Sequence, residues 1–177
     1  MIEIRDARLD DAPLLAWTVI VALGLDEKLA PQMEPVCARE DTLYSWKRAR
    51  VAEVDGKVAG CLIAYSGDEY LALRPATWNS FSPFVGDDQA DFEPETFPGE
   101  FYLDSLAVLP EFRGCNLGRL LLLDGDAKGR SLGFTRVTLI AESDHPRLLD
   151  YYGSIGFREF GEMLFFGNWY KRMEKTV

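Results

Sequence analysis

The sequence predicts a single α/β domain in which helices flank one mixed sheet, in the order β-α-α-β-β-α-β-α-β-α-β-β. Three observations lead there. The chain has 177 residues, within the roughly 100–200 residues usual for one domain. Apolar residues make up 47% of it, enough to fill a core and unlike a disordered chain. Strand-like and helix-like runs alternate from end to end with no internal repeat or low-complexity tract. Residues 1–177 therefore read as one unit, with an acidic insert at about 67–99.

The elements follow in order. "IEIRDARL" alternates apolar and polar residues as a half-buried strand does. Asp10 or Asp11 then caps a helix with Pro13 in its first turn and a stop at Gly24. A second helix is expected over about 34–46. "RARVAEVDGKVAGCLIAYS" is a hairpin, because Asp55-Gly56 is the pair that a tight type I′ turn favours. Pro75, Trp78, Phe81, Phe84 and Val85 sit at helical spacing, so a short helix is expected with Pro75 in its first turn. The acidic "GDDQADFEPETFPG" after it is a loop, and so long an irregular stretch usually serves a function. "EFYLDSLAVL" is a strand ending at Pro110, and "NLGRLLLLDGDAKGRSLG" a helix in which Gly125 and Gly129 each cost about 1 kcal/mol against Ala. "FTRVTLIAE" is a buried strand, "HPRLLDYYGSIG" a short helix, and "FREFGEMLFFGNWYKRMEK" two final strands around Gly161.

Composition excludes several classes. A net charge of -10 argues against a nucleic-acid partner, which needs a basic face. Acid also clusters locally: no Lys or Arg falls between Arg74 and Arg113, where Asp87, Asp88, Asp91, Glu93, Glu95, Glu100 and Asp104 lie. Segment 87–95 reads either as a solvated loop or as a lid that attracts a cation. Cys37, Cys61 and Cys115 form neither a disulfide framework nor a metal site. No leader is legible at the start, and no run approaches the ~20 apolar residues of a membrane span. The expectation is a cytoplasmic protein with no membrane partner and no metal.

The richest stretch is "LPEFRGCNLGRLL". A strand, a tight turn and a helix start present unpaired backbone N–H groups at the positive end of a helix dipole, which favours an anion. Arg113 adds a forked, permanently charged donor, and Gly114 and Gly118 let a ligand approach the backbone. On local physics alone, an anion cradle and a plain strand-to-helix turn are equally good readings. Gly118-Arg119-Leu120 is not the Gly-Lys-Ser/Thr of a P-loop, and no dinucleotide fingerprint is present.

"SLAVLPEFRGCNLGRLLL" resembles the acyl-CoA-binding motif of the GNAT superfamily of N-acyltransferases, and "LLDYYGSIGF" resembles its second signature. The resemblance covers nearly the whole chain except residues 67–99, which are longer than the family's usual connection. It implies a mixed, mostly antiparallel sheet and acetyl-CoA as cosubstrate. Backbone groups of Leu106, Ala107 and Val108 would hold the pantetheine arm like an extra strand, with a splay beyond this strand opening a slot for the thioester. The amides of Arg113, Gly114, Cys115, Asn116, Leu117, Gly118 and Arg119 would cradle the pyrophosphate. Tyr152 matches the tyrosine that protonates the departing thiolate, although periodicity alone would make it a core aromatic. Two positions depart from the pattern: Asn116 stands for a motif glycine, and His145 stands where many members have asparagine. His145 reads as a proton relay or, by its Ser-Asp-His-Pro context, as a local capping or hydrogen-bonding residue.

Acetyl transfer to an amine needs a neutral nucleophile, a donor for the thioester oxygen and a proton for the thiolate. A backbone amide near Val108 would serve the oxygen. If the strand is regular, Glu100, Tyr102 and Asp104 share a face, and Asp104 is the candidate base, directly or through water. Tyr151 lies on another helix face and reads as packing; Tyr44, Trp46, Trp78 and Phe81 read as core or as an acceptor pocket. The expected acceptor is a small-molecule primary amine, with a protein N-terminus or lysine, or a non-catalytic acyl-CoA-binding module, as alternatives. Dimers are common in such families, so a homodimer is compatible with the sequence.

Overall fold

A computed structural model describes residues 1–85, 93–165 and 167–176. Seven strands form one sheet in the order β1-β2-β3-β4-β5-β7-β6: β1 (Ile2–Asp6), β2 (Ala49–Val54), β3 (Lys57–Ser66), β4 (Phe101–Val108), β5 (Arg136–Glu142), β6 (Arg158–Phe165) and β7 (Asn168–Thr176). Every neighbouring pair is antiparallel except β4 and β5. Among the described residues the α-helices are α1 (Ala12–Ala22), α2 (Ala30–Ala38), α3 (Gly67–Val85), α4 (Leu117–Ser131) and α5 (Pro146–Ile155). The order of strands and helices is the expected one. Asp55 and Gly56 both have positive φ, 50° and 77°, as a type I′ turn requires.

Two apolar clusters bury the faces of the sheet. Leu15, Val19 and Ile20 of α1 and Met33 and Val36 of α2 pack with Val51, Ile63 and Tyr102 on one face. Leu117, Leu121 and Leu122 of α4 and Ile155 of α5 pack with Leu62, Leu103 and Leu139 on the other. A Cβ at Gly125 would stand 2.5 Å from Leu62 Cδ2, and one at Gly129 2.6 Å from Phe101 Cδ1. The two glycines weaken the isolated helix but let α4 lie against the sheet at a distance alanine would not permit.

Three boundaries differ from expectation. The second helix spans Ala30–Ala38 and not 34–46, because Pro31 starts it and Arg39 turns to extended backbone, while the Thr42 hydroxyl donates to Val36 O at 2.9 Å. The helix after β3 begins at Gly67, so Pro75 lies in its middle and not its first turn. Ser66 caps the start: its hydroxyl accepts from Glu69 N–H and donates to the Glu69 carboxylate, both at 3.2 Å. Gly161 does not divide the last two strands; it lies in β6 beside a register shift, and the turn is at Gly167, with φ 76°. Of the acidic insert, Asp87, Asp88 and Asp91 lie outside the described residues.

Glu100 is the polar anchor of this arrangement. It is 2% exposed and accepts from Thr96 Oγ1 and Phe97 N, both at 3.1 Å. It pairs with Arg136 of β5 and Arg172 of β7, each at 3.1 Å. Arg172 in turn stacks on Phe97 and Phe160 at 4.6 and 4.7 Å. Removing one partner of a buried pair costs on the order of 3–5 kcal/mol, because the other charge is left uncompensated. Glu100→Gln is therefore expected to lower the unfolding free energy by about 3 kcal/mol, read as a lower urea midpoint at unchanged slope.

Candidate active site

β4 and β5 pair only at Phe101–Val137 and Tyr102–Thr138, then separate. Beyond Tyr102, β4 is held on its other edge by β3, with Leu106 opposite Leu62, Ala107 opposite Cys61 and Val108 opposite Gly60. Among the described residues no strand pairs with the free edge of 104–108. The three residues expected to hold an extended ligand thus present a row of backbone N–H and C=O groups to an open slot.

β4 is not regular. Leu62 faces Leu106 but Ala64 faces Leu103, so β4 spends one extra residue across Asp104 and Ser105. The bulge places both side chains in one cavity of about 620 Å³. Its walls are the end of α1 (Val21–Ala22) with Leu23, Gly24 and Leu25, Glu95, Tyr102 of β4, Ile140 and Glu142 of β5, and Phe165, Asn168 and Tyr170 of the final hairpin. Among the described residues, the carboxylates of Glu95, Asp104 and Glu142 line it and no Lys or Arg does. The expected shared face holds for Tyr102 and Asp104, whereas Glu100 is committed to its arginines outside the cavity.

Hydroxyls secure the carboxylates. Tyr65 donates to Asp104 Oδ2 at 2.5 Å and Ser105 to Oδ1 at 2.8 Å. Tyr102 donates to Glu95 Oε2 at 2.7 Å. Burial raises the Asp104 carboxyl above the ordinary carboxylate range, against the two hydroxyls that lower it. Burial, then the charge of Asp104, pushes Glu95 up to about 8. The Tyr65 and Tyr102 phenols are held well above their usual value, burial first and the carboxylates next.

At the far end of β4, Val108, Phe112, Arg113, Gly114, Asn116, Leu117, Gly118 and Tyr151 line a shallower hollow of about 350 Å³. Asn116 occupies the position before α4 with φ 61° and ψ 16°, the left-handed region that asparagine tolerates best among side-chain-bearing residues. Its side chain makes no capping bond to the first amides of α4, and Leu117 and Gly118, which open the helix, line the hollow. Arg113 Nε donates to Val108 O at 3.1 Å, Cys115 is exposed, and Leu117 sends its side chain into the core. Arg119 reaches away to Ser154 of α5, at 3.3 Å to its hydroxyl.

Tyr152 of α5 belongs to the apolar cluster that includes Leu106 and Val108, edge-on to Phe157 at 6.2 Å, and burial pushes its phenol up to about 12. Tyr151 is not simple packing: it lines the hollow, and its hydroxyl would stand 3.4 Å from a Cβ at Gly118. His145 precedes α5 without a side-chain capping bond. Tyr44, Trp46 and Trp78 pack against the core and do not line the large cavity; the Phe81 side chain lies outside the described residues. Sequence reasoning missed Ser105 and Glu142 as cavity residues, and left Glu95 within a stretch read only as loop or lid. The adjacent polar pair Asp104-Ser105 inside an apolar strand was the available signal for the bulge.

Comparison with known proteins shows the family and the fold. The family model of the GNAT acetyltransferases matches residues 24–157. Mycothiol acetyltransferase of Rhodococcus opacus (strain B4) is 31% identical over 120 residues, 66% of this chain and 36% of that protein. The chain thus spans little more than a third of the curated relatives it matches. A crystal structure of an acetyltransferase superposes with TM-score 0.81 at 27% identity, covering 99% of both chains. The PaiA N-acetyltransferase of Thermoplasma acidophilum, in complex with coenzyme A, shares the fold at TM-score 0.59 and 14% identity, over 100% of this chain and 99% of that one. Among the described residues no group of three or more His, Cys, Asp or Glu could hold a metal, and no helix is long and apolar enough to cross a membrane.

The left-handed backbone at residue 116 separates two substitutions. Asn116→Gly is expected to keep the loop and to leave coenzyme A affinity within about tenfold, or 1.4 kcal/mol. Asn116→Val places a β-branched residue at positive φ and is expected to lower stability by about 1–3 kcal/mol. Calorimetry with coenzyme A and thermal melts measure the two effects.

Proposed function

The chain belongs to the GNAT family of acetyltransferases, and on that premise we propose that it moves an acetyl group from acetyl-CoA to a primary amine by direct attack with both substrates bound. The acceptor is a small cationic metabolite. One observation carries this reading: the slot where β4 leaves β5 meets a cavity of about 620 Å³ lined by Glu95, Asp104 and Glu142 without a basic residue. Such a pocket attracts an alkylammonium and repels anions.

The roles divide along β4. The free edge at Leu106, Ala107 and Val108 holds the pantetheine arm as an added strand. The amides from Arg113 to Arg119 hold the pyrophosphate at the start of α4. A backbone N–H near Val108 receives the charge that grows on the thioester oxygen. Tyr152 supplies a proton to the leaving sulfur, and Asp104 fixes negative charge beside the amine. Direct attack is supported by the cysteines: Cys37 and Cys61 are buried, burial raises both thiols, and neither lines the cavity or the hollow.

Acetyl-CoA-dependent release of free thiol is expected with at least one member of a panel of monoamines, diamines and a peptide with a free N-terminus. Preference for the peptide would move the acceptor to a protein. Binding of acetyl-CoA by calorimetry without turnover of any amine would make the chain a binding module, and no binding would overturn the reading. Because burial holds the Tyr152 phenol protonated up to about 12, Tyr152→Phe should lower kcat by roughly 100-fold at every pH between 6 and 9 without moving the pH profile. Wild-type turnover in that variant would remove Tyr152 from the mechanism.

A further inference from the structure

We propose that Glu95, which enters the cavity from the segment before β4, takes the proton from the incoming ammonium, while Asp104 remains its fixed anionic partner. This rests on the acetyl-transfer reading above. The two carboxylates are set unequally. Each Asp104 oxygen receives a hydroxyl, Oδ2 from Tyr65 and Oδ1 from Ser105, so its lone pairs are engaged and its anion is stabilised. The hydroxyl given to Glu95 comes from Tyr102 and falls on Oε2. Burial raises both carboxyls, but Asp104 has two hydroxyl donors where Glu95 has one, so of the two Asp104 better supports the negative charge and Glu95 is the better acceptor of a proton.

The surroundings agree. Asp104 raises the basicity of Glu95, and Arg74 of α3 opposes it. Tyr65 of β3, Tyr102 of β4, Tyr70 of α3 and Tyr44 all sense the Glu95 charge and are held protonated by burial, so none competes as a base. Tyr170 of β7 and Glu142 of β5 face the same cavity from across it. A carboxyl at about 8 is matched to an ammonium near neutral pH, where an ordinary carboxylate would be far too weak a base.

Position matters as well. Thr96 and Phe97, immediately after Glu95, are bonded to the buried Glu100, and Gly67 N donates to Glu100 O at 2.8 Å. The base is therefore carried on a segment pinned to the sheet. The step balances: the ammonium gives one proton to the Glu95 carboxylate, and the free amine nitrogen bonds to the acetyl carbon. The C–S bond then breaks, with its electron pair leaving on sulfur. The sulfur receives a proton from Tyr152, which is restored by the second nitrogen proton, and Glu95 returns the first to solvent.

The test uses the most active amine of the panel above and the pH dependence of kcat/KM. Wild type is expected to gain activity as pH rises through about 8, where Glu95 becomes ionised. Glu95→Gln should lose on the order of 100-fold in kcat together with that limb. It should keep its acetyl-CoA affinity, and retain near-normal rates with an electron-poor amine already neutral at the assay pH. Asp104→Asn should move the limb to lower pH, since the charge that raises Glu95 is gone. Infrared titration should show a protonated carboxyl persisting to about pH 8 in wild type and absent in Glu95→Gln. An unaltered limb and rate in Glu95→Gln, or a Glu95 that titrates in the ordinary carboxylate range, overturns the assignment. Failure of wild type to acetylate any amine overturns the acetyl-transfer reading itself.

Discussion

β4 and β5 share hydrogen bonds at Phe101 and Tyr102 and then separate, and the buried Glu100 carboxylate joins the strands at the point where they still touch. Its two arginines come from β5 and β7, and its oxygens also hold Thr96 and Phe97. One ion-pair network therefore fixes three things: the apex of the opening, the two strands on its far side, and the segment that carries Glu95. A charged group this deeply buried is expensive by itself. What it supplies is geometry, because the strands must stay together up to Tyr102 and be free to diverge beyond it.

The two halves of the site are consequences of that divergence. Toward α4, the unpaired edge of β4 leads into the amides at residue 116 and beyond, with α4 drawn close to the sheet at Gly125 and Gly129. Toward α1 and the final hairpin, the bulge at Asp104 and Ser105 turns two consecutive polar side chains into the cavity, where a regular strand would have buried one in the opposite core. The same strand thus exposes backbone on one stretch and carboxylate on the next. On the proposed function, donor and acceptor would meet on this strand without any residue having to serve both.

Much of this was legible in the sequence, and the losses have physical causes. The order of elements, the Asp55-Gly56 turn and the backbone conformation of Asn116 follow from local rules, which residues a few positions apart obey by themselves. The cap that the Ser66 hydroxyl gives Glu69 was equally local, but it was masked by a proline that suggested a later start. The bulge, the role of Glu100 and the enclosure of Glu95 depend on which strands lie side by side, which periodicity along one strand does not encode. Tyr151 and Tyr152 show the limit most closely: adjacent residues on one helix, of which one lines the cradle hollow and the other sits among apolar side chains.

The terminal hairpin joins the rest of the sheet only through β5, since β6 is the outermost strand and β7 lies between them. It nevertheless provides Phe165, Asn168 and Tyr170 to the cavity wall, the first two at the turn end of their strands. The described residues of that turn neither line the hollow at α4 nor pair with Glu100. Substitution or lengthening there would recut one wall of the large cavity and leave the residues of the hollow unchanged. On the proposed function, the residues that would hold the acyl donor and those that shape this wall of the cavity sit on separate elements, so the wall can be changed a residue at a time while the donor side stays as it is.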